Sequence, residues 1–175
     1  MAYGLKYFTY VFEELPAKIS AEFRIPTDPA HLYIGGLSMG GYGAMKCVAT
    51  APEKYAGCIA LSSCFYPMDR SLWRNDVAGS EQDEWKAILG PELPFGDEND
   101  IEKLTEKALA AGKKLPKLYM ACGTEDGLLR MSRKLHDFFL TNDIPCSYEE
   151  WSGIHDWWFW DTGIQKGLAQ MFPGE

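Results

Sequence analysis

The segment Gly36-Leu37-Ser38-Met39-Gly40 sets a serine between two glycines, the G-x-S-x-G spacing of a nucleophile elbow. At such an elbow a strand turns sharply into a helix, and the serine takes a strained backbone conformation that lifts its hydroxyl clear of its neighbours. Gly36 and Gly40 carry no Cβ, which is expected to let strand and helix approach closely. The same turn puts the Met39 amide in the first turn of a helix. There an N–H without an intrahelical partner, at the positive end of the helix dipole, can stabilise a developing oxyanion.

A serine hydroxyl is a weak nucleophile until a base takes its proton. Of the three histidines, His155 is the candidate base. It lies in Ser152-Gly153-Ile154-His155-Asp156, a short turn after the last expected strand and before the C-terminal helix, at the same sheet end as Ser38. His136 falls in an amphipathic helix beside Leu135 and Phe138 and reads as a partly exposed helix residue. His31 precedes the elbow strand, at the end away from Ser38. The third member must be a carboxylate that fixes the imidazole tautomer and stabilises the imidazolium. Gly123-Thr124-Glu125-Asp126-Gly127 follows a strand directly and offers two; Asp126 is the expected orienter and Glu125 the reserve. The chain order Ser38, Asp126, His155 is that of α/β-hydrolases and not that of the other two serine-protease arrangements.

These residues need elements to hold them. Leu5, Phe8, Val11, Phe12, Leu15 and Ile19 recur at helical spacing and predict a helix from Tyr3 to Phe23, kinked at Pro16. A strand is expected over His31–Leu37, followed through the Gly-rich turn by a helix over Gly40–Thr50 that closes at Ala51-Pro52. Further strands are expected over 57–62, 117–122 and 146–151, alternating with helices over 130–142 and 158–172. That alternation predicts an α/β domain, residues 1–175, with a mainly parallel sheet of about four strands and flanking helices. Residues 65–116 read as an insertion above the sheet. Ligands in open α/β sheets bind outside the carboxyl ends of the strands, so this insertion is expected to shape the pocket.

Composition sets the outer limits. The 175 residues are 46% hydrophobic and 24% charged, as in ordinary globular chains and unlike disordered ones. A formal charge of −8 repels polyanions, which argues against nucleic-acid partners. No apolar run approaches the roughly 18–20 residues that cross a bilayer, and the N-terminus lacks the basic-then-apolar order of a signal peptide. The expectation is a cytoplasmic protein without membrane contact. The five cysteines, Cys47, Cys58, Cys64, Cys122 and Cys146, are widely spaced with no C-x-x-C pair, and read as reduced structural thiols. Three histidines are too few for most metal sites, and the chemistry outlined above needs no metal or organic cofactor.

Three segments together carry a family resemblance: Tyr33-Ile-Gly-Gly-Leu-Ser-Met-Gly-Gly-Tyr-Gly-Ala-Met45, Ala121-Cys-Gly-Thr-Glu-Asp126 and Gly153-Ile-His-Asp-Trp-Trp-Phe-Trp-Asp161. Between about Tyr7 and Phe172 the chain resembles the esterase family of α/β-hydrolases that includes tributyrin, acetyl and feruloyl esterases and S-formylglutathione hydrolase. Leu37 before the serine resembles the first three more than the last. The resemblance implies a carboxylic-ester hydrolase with Ser38 as nucleophile, His155 as general base and acid, Asp126 as orienter and Met39 N–H as one oxyanion donor. Substrates would be small-molecule or carbohydrate esters with short acyl, acetyl or feruloyl groups.

The resemblance implies an N-terminal portion, with several strands and a His-Gly-Gly type loop donating the second oxyanion hydrogen bond, for which no counterpart is expected in the residues before Leu5. The expectation is therefore an N-terminally shortened α/β-hydrolase fold whose elbow strand lies at a sheet edge and pairs with another copy of the chain. Secretion stays open if an N-terminal portion is missing. Loss of one oxyanion donor costs about 2.7–4 kcal/mol in the transition state, so the alternative is a weakly active or silent fragment serving as an oligomeric or partner-binding module. Among the aromatic residues, Trp73 and Trp157 are candidate pocket residues. Trp85 lies in the insertion, and Trp158 and Trp160 read as core packing.

Overall fold

The computed structural model describes residues 5–26, 28–64, 86–87, 90 and 96–174. Four parallel strands, β1 (Tyr33–Leu37), β2 (Gly57–Leu61), β3 (Lys117–Gly123) and β4 (Cys146–Trp151), form one sheet in the order β1-β2-β3-β4. The register aligns Leu37 with Leu61, Leu61 with Ala121 and Gly123 with Trp151. The carboxyl ends of β1, β3 and β4 therefore open on one side of the sheet, and the segments that follow them carry Ser38, Asp126 and His155.

Helices cover both faces. On one lie α3 (Met39–Thr50), α4 (Ile101–Ala110) and α5 (Leu129–Thr141), and on the other α6 (Trp157–Met171). The split follows from the two-residue period of a strand, which sends alternate side chains to opposite faces. Cys58, Ala60, Leu118 and Met120 join a core with Met45, Val48, Ile101, Leu135 and Phe139. Ile59, Leu61, Tyr119 and Ala121 join a second core with Phe159, Trp160 and Met171. Every residue of β2 is buried, which is why it reads as an unbroken apolar run. Gly163 and Gly167 let α6 lie close on the sheet: a Cβ at Gly163 would meet Leu61 at 3.1 Å, and one at Gly167 would meet Ile59 and Tyr119 at 3.0 Å.

The N-terminal helix begins at Tyr7, later than expected, with Leu5 and Lys6 ahead of it outside any helix, and its course is irregular. It runs as α1 (Tyr7–Thr9), a π-helical turn (Tyr10–Glu14) and α2 (Leu15–Phe23). Pro16 sits in the first turn of α2, and the irregularity falls one turn ahead of it, where Leu15 N–H donates to Tyr10 O, five residues back. Pro16 has no N–H to give the carbonyl four residues before it, and its ring crowds that carbonyl. Phe8 and Phe12 pack on the α3 side of the molecule under Lys46 and Lys54, whose ammonium groups lie 4.7 and 3.9 Å from the ring centroids. β1 begins two residues later than expected. His31 instead belongs to a turn, its amide donating to Asp28 O and its ring bonded to the Asp28 carboxylate at 2.8 Å.

No disulfide joins the five cysteines, all of which lie among the described residues. Burial pushes the Cys47 and Cys122 thiols up to about 11 and Cys146 to about 12. They are protonated at neutral pH and pack as small hydrophobes.

Candidate active site

Ser38 stands between β1 and α3 with φ 53° and ψ −123°, a left-handed conformation that costs a non-glycine residue of order 1–3 kcal/mol. Hydrogen bonds from two neighbouring segments hold it there. Its N–H donates to Leu61 O at 2.9 Å, and its carbonyl accepts from Gly41, Tyr42 and Cys64 at 3.1–3.2 Å. The end of β2 thus braces the turn, a contribution that the local motif does not reveal. Met39 opens α3, so its N–H has no partner four residues back within the helix.

The glycines divide the steric work differently from the expectation. A Cβ at Gly36 would lie 2.4 Å from both Gly40 C and Gly40 O, and one at Gly41 would lie 1.9 Å from Ser63 Oγ and 3.1 Å from Gly36 O. At Gly40 no described atom lies within 4 Å of that position. The strand passes Gly40 on its backbone side, so the close approach needs hydrogen at 36 and 41. Gly40 offers its backbone, and its missing side chain is not what admits the strand.

His155 sits in the loop between β4 and α6. Its Nε2 is 3.0 Å from Ser38 Oγ and its Nδ1 is 2.8 Å from Asp126 Oδ2. An ionised carboxylate only accepts, so Nδ1 carries the proton and Nε2 turns its lone pair to the serine hydroxyl. The Asp126 side chain is 1% exposed and that of His155 is 35% exposed, which leaves the serine end of the ring open and the carboxylate end dry. Asp126 is itself fixed: its Oδ1 accepts from Leu128 N–H at 2.8 Å, ahead of α5. The rings of His155 and Trp160 stand perpendicular, with centroids 4.9 Å apart.

The structure joins Ser38, His155 and Asp126 in one hydrogen-bonded series and leaves the other candidates outside it. Glu125 bonds to backbone: its Oε2 accepts from Gly153 N–H at 2.6 Å. His136 is half-buried in α5 against Tyr148, and His31 is at the far end of β1. Trp73 and Trp85 lie outside the described residues. Trp157, 73% exposed, stands edge-on to Trp160 at 5.2 Å, one ring away from His155. Trp160 is buried as expected. Trp158 is 85% exposed, contrary to expectation, because α6 turns Phe159, Trp160, Gly163 and Gly167 toward the sheet and position 158 away from it. Among the described residues no three His, Cys, Asp or Glu side chains are grouped to hold a metal ion, and no helix is long and apolar enough to cross a membrane.

A family model described as "Putative esterase" matches residues 2–171. The chain belongs to this esterase family. An acetyl esterase of Caldicellulosiruptor saccharolyticus is 34% identical over 170 residues, which are 93% of this chain and 62% of that protein. The S-formylglutathione hydrolase of Rattus norvegicus is 34% identical over 127 residues, 67% of this chain and 44% of the relative. Among solved structures, the fluorophosphonate-binding serine hydrolase FphF of Staphylococcus aureus superposes with a TM-score of 0.85 at 31% identity, covering 98% of this chain and 65% of FphF. The fold is that of the α/β-hydrolase serine hydrolases, and this esterase-family chain spans less than two thirds of the length of these relatives.

Proposed function

We propose that the chain is a serine carboxylic-ester hydrolase working through an acyl-enzyme. The observation that carries this reading is the unbroken series Ser38 Oγ, His155 Nε2, His155 Nδ1, Asp126 Oδ2, with links of 3.0 and 2.8 Å. Ser38 Oγ attacks the ester carbonyl carbon while its proton passes to His155 Nε2. The negative charge that develops on the carbonyl oxygen is met by Met39 N–H at the start of α3. The imidazolium, held by Asp126, returns the proton to the departing alkoxide, leaving an acyl-Ser38. Water then attacks the acyl carbon by the same route, releasing the acid and restoring the serine. His155 relays each transferred proton: from Ser38 to the leaving alcohol in acylation, and from water to Ser38 in deacylation.

The acetyl esterase relative supports short acyl esters, acetyl esters first, as substrates. Trp157, exposed and one ring from His155, suits an apolar or planar group on such an ester. Ser38→Ala is expected to abolish both hydrolysis of p-nitrophenyl acetate and labelling by a fluorophosphonate probe. Parent-like hydrolysis by that variant would refute the reading.

A second reading concerns β1, which among the described residues pairs with β2 alone and so lies at the edge of the described sheet. An edge strand presents unpaired N–H and C=O groups that another strand can take up. Leu5, ahead of α1, and Tyr7 and Tyr10 in the N-terminal helix are exposed at 68%, 59% and 44% and give the molecule further apolar surface. We infer that this edge pairs with a second copy of the chain. Light scattering after size-exclusion should give a dimer, and a monomer at high protein concentration would refute it.

A further inference from the structure

Glu125 and Asp126 are adjacent acids after β3, yet they grip different parts of the segment that carries His155. Asp126 holds the imidazole. Glu125 holds the backbone two residues ahead of it, by bonds that run in both directions: Glu125 N–H donates to Gly153 O at 3.1 Å, and Gly153 N–H donates to the Glu125 carboxylate at 2.6 Å. Thr124 N–H donates to Trp151 O at 3.0 Å, and Ser152 Oγ approaches the other Glu125 oxygen at 3.4 Å. The two loops also touch where neither has a side chain. A Cβ at Gly123 would lie 2.1 Å from Gly153 O, and one at Gly153 would lie 2.7 Å from Phe159.

These contacts make a seam along Trp151, Ser152 and Gly153, after which Ile154 is exposed and Asp156 caps α6 through Phe159 N–H. His155 is therefore suspended between two fixed points, the seam on one side and the α6 cap on the other. An exposed loop carrying a proton-transfer group gains little from burial, so its placement depends on such bonds. Gly153 N–H is the main influence holding the Glu125 carboxyl below the ordinary glutamate range, in keeping with a charged acceptor on a backbone donor.

We propose that Glu125 is a positioning residue that clamps Gly153 and thereby sets the distance between His155 Nε2 and Ser38 Oγ. The clamp is independent of the esterase reading; only its effect on rate rests on that reading. A near-attack geometry disturbed by about 1 Å costs on the order of 10²-fold in rate. Two measurements on the full chain test the clamp. Hydrogen exchange at the Gly153 amide should speed up in Glu125→Ala and stay slow in Glu125→Gln, because the glutamine carbonyl oxygen can still accept from it. Fluorophosphonate labelling of Ser38 and kcat for p-nitrophenyl acetate should fall roughly ten- to hundredfold in Glu125→Ala, with KM close to the parent value, and recover in Glu125→Gln. Unchanged Gly153 exchange in Glu125→Ala, parent-like labelling in that variant, or a glutamine variant as slow as the alanine one would each overturn the proposal. A parent protein that is never labelled would sink the esterase reading alone, with the amide exchange still judging the clamp.

Discussion

Replacing Gly36 by alanine tests the elbow geometry more sharply than replacing the serine itself. The added Cβ would sit 2.4 Å from the carbonyl carbon and oxygen of Gly40, and neither is the movable end of a flexible side chain. Ordinary contact begins at 3.4 Å, so β1 and α3 must separate by about 1 Å for the residue to fit. That shift carries Ser38 away from His155, since the serine rides on the turn between them while His155 is anchored to the β3–α5 loop. A displacement of this size is worth about 10²-fold in rate, and overpacking of this kind costs about 1–3 kcal/mol of stability. Gly40→Ala is the matched control: no described atom lies within 4 Å of the new Cβ, and alanine favours the helix over glycine by up to about 1 kcal/mol. Hydrolysis of p-nitrophenyl acetate and urea unfolding, measured on both variants, should show Gly36→Ala slow and less stable and Gly40→Ala close to the parent in both. Equal losses in the two variants, or a parent-like Gly36→Ala, would refute the steric account of the turn.

Two other consequences concern stability. Arg133 forms a two-pronged ion pair with Glu150 at 2.6 and 2.8 Å, which is the main cause holding that carboxyl below its ordinary value of 4.5. A depressed folded-state value means that the pair stabilises the fold fully above pH 4.5 and that this contribution fades as pH falls through the lowered value. Urea midpoints followed from pH 7 downward should therefore fall less steeply in Arg133→Met than in the parent, and identical slopes would rule the pair out as a source of acid sensitivity. Gly167→Ala sets about 1 kcal/mol of helix propensity against three contacts at 3.0 Å with Ile59 and Tyr119. A fully buried, close-packed site should let the clash win, giving a lower Tm; a higher Tm would show that α6 can lift from the sheet at no cost.

Ser38, Asp126 and His155 were legible because each follows a strand, and a parallel register brings strand ends together whatever the sequence between them. The elements were legible for a related reason, since alternating apolar runs and helical stripes record which faces are buried. What escaped lies in contacts between segments distant in the chain. Gly41 matters through Ser63, 22 positions on, and a local pattern centred on the serine points instead to Gly40. The string Thr124-Glu125-Asp126 offers Asp126 as the expected orienter but shows no separate role for Glu125. The two acids part in space because Asp126 is short enough to bond Leu128 N–H with one oxygen and His155 with the other, whereas the longer Glu125 reaches across to Gly153. Trp158 escaped for a simpler reason: in Trp157-Trp158-Phe159-Trp160 every residue is aromatic, so no apolar period separates the outward pair from the inward pair. The stripe that decides it is made of Gly163, Gly167 and Met171. These residues, at helical spacing, mark where α6 meets the sheet, and Phe159 and Trp160 fall on their face.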